Sequence, residues 1–406
     1  MSTTGWIVLA VVAVIVIVVG LLIFRRVRYV RGLKQRGWTF DSSPPLEAVL
    51  DHHAPPFGIG LSRKPDELVS GSTAEGIPFR VFEYAYTGGG PKFDQRLASL
   101  TLPTALPDLF LTAGRPRIGI TAPSYDIEAG LTVSADDPTY ARAMLDAAVP
   151  AIRAFGAERG VDLSIDGNHL VSVGAPKNAD ELTDYLEALA PVAQAIARGG
   201  GTYAVPTPAP GFGFYRRDWF YVGRDDALIS RYGLTTVGHG HRTEDVIRGD
   251  NDGLPLEAFV HRWETTRTET STDSEGRTTT RTVTDHHDET VLAMVMPFSL
   301  PMLSVGVGGW GGEKVRFESE EFNDAFKVRT SSPKFASDVI HPRQMEYLMS
   351  MRPPAFSIDG QLIRFFPSQH DTLLIGLCAD VAHGLLARVP PFVWKDLQVA
   401  PPTFRA

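Results

Sequence analysis

The chain has 406 residues, 43% of them apolar and 21% charged, with a net charge of −8. This composition excludes a disordered chain, and the acidity argues against nucleic acid as a main partner. A single cysteine, Cys378, excludes an intrachain disulfide and a cysteine-based zinc cluster.

Residues 1–5 read as a short extracytoplasmic tail. Residues 6–24, WIVLAVVAVIVIVVGLLIF, carry no charge and no proline. Nineteen residues make a helix of about 28 Å, close to the ~30 Å hydrocarbon core of a bilayer. A cleaved signal peptide needs basic residues before its apolar run and small residues after it. Here the first five residues carry no basic side chain and the run ends in Phe24-Arg25-Arg26, so an uncleaved transmembrane helix is expected. Residues 25–36 follow as a basic juxtamembrane helix containing Arg25, Arg26, Arg28, Arg31, Lys34 and Arg36. The positive-inside rule then places the carboxy-terminal bulk in the cytoplasm. The expectation is a single-pass plasma-membrane protein that meets the lipid bilayer through Trp6, Arg25, Arg26, Arg28 and Arg31. Without the six cations, 33 basic residues stand against 47 acidic ones, a net of −14. An anionic membrane repels such a body, so the anchor must hold it there.

Residues 37–198 form the first expected domain. The stretch IPFRVFEYAY has the two-residue period of a half-buried strand, and the Gly88–Pro91 cluster is a turn. QRLASLTL and PDLFLTA read as two further strands, followed by AGLTVSA. Asp137 and Pro138 suit a helix cap and first turn. Tyr140, Ala141, Met144, Leu145, Val149 and Ile152 share one helical face, and Pro150 should kink or break that helix. VDLSIDGNHLVSV reads as two short strands joined by a type I′ turn at Asp166-Gly167. A closing helix over residues 178–198 starts with Asn178 and Glu181 as a capping box.

A glycine- and proline-rich linker over residues 199–222 leads to a second domain at 223–390, and a proline-rich, loose tail covers 391–406. The second domain repeats the first. Leu102-Pro103, Leu106-Pro107 and Leu109 recur as Met296-Pro297, Leu300-Pro301 and Leu303. Asp137-Pro138 recurs as Ser332-Pro333, and LSIDG (163–167) recurs as FSIDG (356–360). Ser368 and Asp371 match the capping pair, and Cys378 lies beside the apolar face of the helix that follows, as an inert buried thiol. The pattern implies internal duplication of a unit of roughly 160 residues, domain-sized rather than solenoid-sized. The fold class is α+β, with two homologous, mostly antiparallel sheet-plus-helix domains behind a transmembrane helix.

The second domain carries an insertion, residues 263–290, with ten threonines between Thr265 and Thr284. A turn at Glu275-Gly276 would place Thr272 opposite Thr279 and Thr268 opposite Val283. The hairpin should project into solvent and offer strand edges to a partner protein, with Thr268, Thr270, Thr280 and Thr282 as candidate contacts. Two histidine clusters, His239 with His241 and His286 with His287, are weak metal candidates, because no three-ligand set at helical spacing is defined. The G-x-G-x-x-G at 306–311 lacks the following helix that a dinucleotide site needs. FESEEFND reads as a solvated acidic turn pinned by Phe322. No cofactor is expected.

The run ESEEFNDAFKVRTSSPKFASDVIHPRQMEYLM (318–349) resembles the signature region of a family of bacterial membrane proteins built on a domain of unknown function. The resemblance is best over residues 292–390. It implies amino-terminal membrane spans ahead of a soluble α+β region and implies no catalytic residues. The first half departs from the signature, with YDIEAGLTVSADDPTYARAMLDAAV in its place. The resulting expectation is a membrane-anchored, non-catalytic binding or scaffold protein. The alternative is an envelope-associated hydrolase or metal-dependent enzyme with a site at the interdomain cleft, using His239, His241 and Asp245.

Overall fold

The computed structural model describes residues 3–88, 92–113, 123–128, 130–211, 213–215, 217–235, 237–272, 278–306 and 311–402. The chain divides into two compact units. The first comprises Met1–Gly58, Arg63–Tyr86 and Lys92–Gly211, and the second comprises Ile59–Ser62, Thr87–Pro91 and Phe212–Ala406. Both are α+β, and every strand pairing described in either sheet is antiparallel.

In the first unit the expected span and basic helix are one continuous helix, α1 (Thr3–Gln35). Described side chains from Val12 to Leu21, among them Val14, Val16 and Ile17, are exposed. The Trp6 side chain lies outside the described residues. Among the described residues no helix is long and apolar enough to cross a membrane. The end of α1 is docked, because Leu33 is fully buried, Tyr29 packs edge-on to Phe40, and Arg36 pairs with Asp180 and donates to Thr183. Arg25, Arg28 and Arg31 are exposed, and Arg26 reaches Glu67 at 3.6 Å.

The sheet of this unit runs β1 (Thr39–Asp41), β2 (Leu61–Ser72), β3 (Pro78–Thr87), β4 (Phe93–Ala113), then β6 (Leu131–Ser134) and β5 (Ser124–Glu128), with β7 (Asp162–Val173) also on β4. Helices α2 (Pro138–Arg159) and α3 (Ala179–Gly200) cover one face. Asp137 caps α2 at Thr139 N, and Asn178 caps α3 at Asp180 N and Glu181 N. Pro150 neither ends nor splits α2. Met144, Ala148, Ile152 and Phe155, on either side of it, are buried in the core, and that packing outweighs the lost backbone hydrogen bond.

Two sequence expectations fail at the same place. QRLASLTL and PDLFLTA are one bent strand, β4, and the Asp166-Gly167 hairpin is one bent strand, β7. Between Thr101↔His169 and Leu106↔Gly167, β4 advances five residues while β7 retreats two; to Leu109↔Ile165 the steps are three and two. The surplus on β4 is a bulge, which bends a strand and raises its twist. Pro103 and Pro107 sit in it, where no ladder N–H is required. Gly167 at φ +56 supplies the left-handed residue opposite. An Asp-Gly pair permits positive φ in a corner as readily as in a turn, so local chemistry could not distinguish them.

The second unit contains β8 (Gly213–Phe214), β9 (Arg217–Gly223), α4 (Ala227–Tyr232), β10 (His239–Asn251), β11 (Leu254–Thr272), β12 (Thr278–Val305), β13 (Glu313–Val315), α5 (Glu320–Ala325), β14 (Val328–Thr330), α6 (Pro333–Val339), α7 (Pro342–Met351), β15 (Phe356–Phe365), α8 (Thr372–Ala387) and α9 (Pro391–Asp396). Its sheet order is β13-β14-β12-β11-β10-β9-β8, with β15 also on β12. The same bend recurs. Between Val295↔Leu362 and Leu300↔Gly360, β12 advances five residues while β15 retreats two, and to Leu303↔Ile358 the steps are again three and two. Gly360 has φ +59.

Smaller corrections follow from packing. Asp371 alone caps α8, and Ser368 lies outside the cap. FESEEFND contains a helix, α5, capped by Ser319, with Phe322 fully buried. A strand, β13, follows the glycine-rich run, of which residues 307–310 lie outside the described ones. The tail is held as α9 because Trp394 packs edge-on to Phe298 and both are buried. Cys378 is buried, and burial pushes its thiol up to about 12.

The bend gives a direct test. A Cβ on Gly360 meets nothing within 4 Å, so Gly360→Ala imposes backbone strain alone. It should lower stability by about 1–2 kcal/mol, read as a reduced urea midpoint; an unchanged midpoint would show that the positive φ is dispensable.

Candidate functional site: a projecting hairpin and a buried aspartate–histidine cluster

The β10–β11 ladder ends at His239↔Glu264, and the β12–β15 ladder begins at Leu292↔Phe365. Beyond Glu264↔His286, β11 and β12 pair only with each other over eight rungs, from Thr265↔Asp285 to Thr272↔Thr278. At ~3.3 Å per residue this ribbon is about 26 Å long. The expected hairpin is present, but its register differs by one residue, with Thr272 opposite Thr278 and Thr268 opposite Thr282. The five residues 273–277 that join the arms lie outside the described ones.

A one-residue shift transposes every facing pair. One face of the ribbon consists of Thr266↔Thr284, Thr268↔Thr282, Thr270↔Thr280 and Thr272↔Thr278. All four predicted contact residues, Thr268, Thr270, Thr280 and Thr282, are exposed on it. The other face is charged and self-neutralising, with Arg267 on Asp285 at 2.8 Å and Arg281 on Glu269 at 2.6 Å. A sequence-set pairing optimum selects this register, because it matches threonine with threonine and arginine with glutamate.

The foot of the ribbon gathers the four histidines singled out from sequence. The rings of His241, His261, Trp263 and His287 stack in series at 5.3, 4.8 and 5.3 Å. His241 Nδ1 meets His261 Nε2 at 3.0 Å, and His287 Nε2 meets Thr265 Oγ1 at 2.7 Å. His239 Nδ1 lies 2.8 Å from Glu264 O, and His286 Nδ1 lies 3.3 Å from Glu264 Oε1. Asp245 accepts from Tyr221 at 2.8 Å. Among the described residues, neither these histidines nor Asp245 belong to a three-ligand group. A cavity of about 390 Å³ beside the foot is lined by Tyr232, His261, Trp263, Glu289, Arg364 and Phe366. Burial raises the Glu289 carboxyl there, against the opposing charge of Arg364.

Below the foot, Glu257 ties α4 to the sheet. It accepts from Arg231 and Tyr232 at 2.7 Å and from Arg248 at 2.8 Å. Burial pushes its carboxyl up, but hydrogen bonds from Arg231, Tyr232 and Arg248 outweigh that and hold it below the usual range.

In the first unit, a cluster that the sequence reading overlooked sits on the sheet face opposite α2 and α3. Side chains alternate along a strand, so Val81, Ala98 and Leu170 face the helices while Arg80, Ser99 and His169 face the other way. The loop 46–58 covers that second face with His52 and Phe57. Asp51 Oδ1 lies 3.1 Å from His52 Nδ1, and its Oδ2 lies 3.1 Å from His169 Nε2 and 2.6 Å from Arg80 Nη2. The two imidazoles stack at 4.4 Å. His52 Nε2 meets Ser99 Oγ at 2.9 Å. The bend contributes as well, because Asp166 accepts from His53 N at 2.8 Å and pins the loop from below.

Ser99, His52 and Asp51 follow the order of a hydrolase triad, but Ser99 is 1% exposed and the His52 side chain is fully buried. Neither lines the cavities of about 890, 730 and 390 Å³, and a nucleophile needs a place for substrate beside it. Burial lowers His52 to about 4, against its hydrogen bond to Asp51, so its ring is neutral at pH 7. Burial opposes ionisation of Asp51, but hydrogen bonds from His169, His52 and Arg80 hold its carboxyl far below the ordinary range. The signal available in sequence was Asp51-His52-His53 ahead of Pro55-Pro56, with His169 two residues past the repeated motif.

No protein-family model matches the chain, and no curated protein matches it. Among solved structures it resembles the crystal structure of the mycobacterial trehalose monomycolate transport factor A, TtfA. The identity is 13% and the TM-score 0.33, over 44% of this chain and 96% of that one, and such a likeness carries no argument.

The charged belt under the hairpin predicts a pH signature. A carboxyl depressed in the fold stabilises above its unfolded pKa, and that contribution is lost as pH falls through the folded pKa. Glu257→Gln should cost roughly 1–2 kcal/mol at pH 7. The difference from the parent should shrink below about pH 4. Denaturant unfolding across pH 3–7 measures it, and a gap independent of pH would mean that Glu257 contributes by packing alone.

Proposed function

We propose that the protein is a membrane-anchored, non-catalytic docking scaffold whose projecting hairpin takes up an extended segment of a partner protein as an added strand. The observation that carries this reading is the eight-rung ribbon with no further strand on either edge among the described residues. Both arms present backbone N–H and C=O groups to solvent, the standard template for strand addition. An isolated two-stranded ribbon is marginal in water, and a third strand stabilises it. The threonine face adds methyl and hydroxyl groups without a net charge that would select against partners.

The anchor in this proposal is the uncharged run 6–24, with the docked end of α1 transmitting its position to the first unit and the units in the cytoplasm at the plasma membrane. The matched bends at Leu106↔Gly167 and Leu300↔Gly360 support descent of both units from one duplicated ancestor. The resemblance of residues 292–390 to a bacterial membrane family is in keeping with the same reading.

Two experiments test it. Residues 267–283 are replaced with an Asn-Gly turn, which leaves Thr266↔Thr284 as the closing pair, and partners are crosslinked in intact membranes. At least a tenfold loss of one specific crosslinked protein, with unchanged circular dichroism, is expected; identical crosslinking would remove the docking arm. Protease added to intact cells should leave the two units whole and should digest them after permeabilisation. Digestion in intact cells would reverse the topology.

A further inference from the structure

We propose that Asp51, His52 and His169 form a binding site for a divalent transition metal of the zinc class, which clips the loop 46–58 onto the sheet of the first unit. One carboxylate and two imidazoles are a ligand set that suits zinc. Their ligating atoms all lie within 4.8 Å of one another. The two Asp51 contacts are made by different oxygens, Oδ1 to His52 Nδ1 and Oδ2 to His169 Nε2, each at 3.1 Å, so the carboxylate lies between the two imidazoles. The ligands come from a loop and from β7, so a metal there joins elements distant in sequence.

The surroundings have the features of a ligand shell. A metal at His52 Nδ1 leaves its Nε2–H to donate to Ser99 Oγ, 2.9 Å away, the kind of outer partner that fixes a ligating imidazole. Arg80 orients Asp51, and donates to Ala48 O at 2.8 Å, within the same loop.

His169 is 4% exposed, and its Nε2 is the ring nitrogen that meets Asp51, 3.1 Å from Oδ2. Asp51, whose side chain is 38% exposed, gives the metal a route in and leaves one coordination position for water. Among the described residues, the second unit lacks the set. Its motif aspartate, Asp359, is exposed, and Leu362 stands where the first unit has His169.

The test uses the full chain in detergent, stripped with chelator and titrated with Zn²⁺ alone against a chromophoric competitor. One equivalent per chain is expected. His169→Gln and Asp51→Asn should weaken binding at least a hundredfold, whereas the chain with residues 267–283 replaced should bind as the parent does. That last arm separates this site from the docking proposal and from the histidines at the hairpin foot. Equal binding by His169→Gln, or none by the folded parent, would overturn the assignment. If either substitution impairs folding, Co²⁺ loaded into the parent provides a second readout. Visible bands of a tetrahedral histidine-ligated ion are expected, and their absence overturns the proposal.

Discussion

The architecture of each unit depends on one corner. A long strand, β4 or β12, gives four more residues to the corner than the strand beside it, and a glycine at positive φ faces the surplus. The bulge lets a single strand serve two neighbours in succession. Before the corner β4 pairs with β3 and afterwards with β6, and β12 pairs first with β11 and then with β14. The partner across the corner, β7 or β15, is shared throughout. Prolines tolerate the outer path because a bulge leaves backbone donors unpaired. The curved face then accepts helices, α2 and α3 in the first unit and α6 to α9 in the second.

On this shared frame the units diverge in where they place polar groups. In the first, the corner aspartate turns inward, is 1% exposed, and holds the loop that delivers Asp51 and His52. In the second, the corner aspartate faces solvent. The hairpins differ in reach. Tyr86↔Phe93 closes the ladder in the first unit, with rings stacked at 5.2 Å. The rung at the same distance from the corner in the second is Trp263↔His287, stacked at 5.3 Å, and the ladder continues nine rungs further. A stacked ring pair thus stands at the corresponding rung of both sheets, and in the second the ribbon continues beyond it.

The hairpin also shows how a single register step decides the character of a surface. With Thr272 opposite Thr279 the threonines would be scattered among arginine and glutamate partners. With Thr272 opposite Thr278 they form one face, and the charges neutralise one another on the other.

The sequence by itself determined the repeats, the capped helices and the existence of the arm. Proline-leucine spacing, Ser-Ile-Asp-Gly, Asp137-Pro138 and Ser332-Pro333 are local signals whose physics acts within a few residues. Only the tertiary structure decided what the repeats do, because the proline run and the glycine lie about 60 residues apart and meet only across a ladder. The same reason hid the Asp51, His52 and His169 cluster. His169 lies more than a hundred positions from Asp51 and His52, and the three have no joint chemical meaning until the sheet and loop bring them within hydrogen-bond reach.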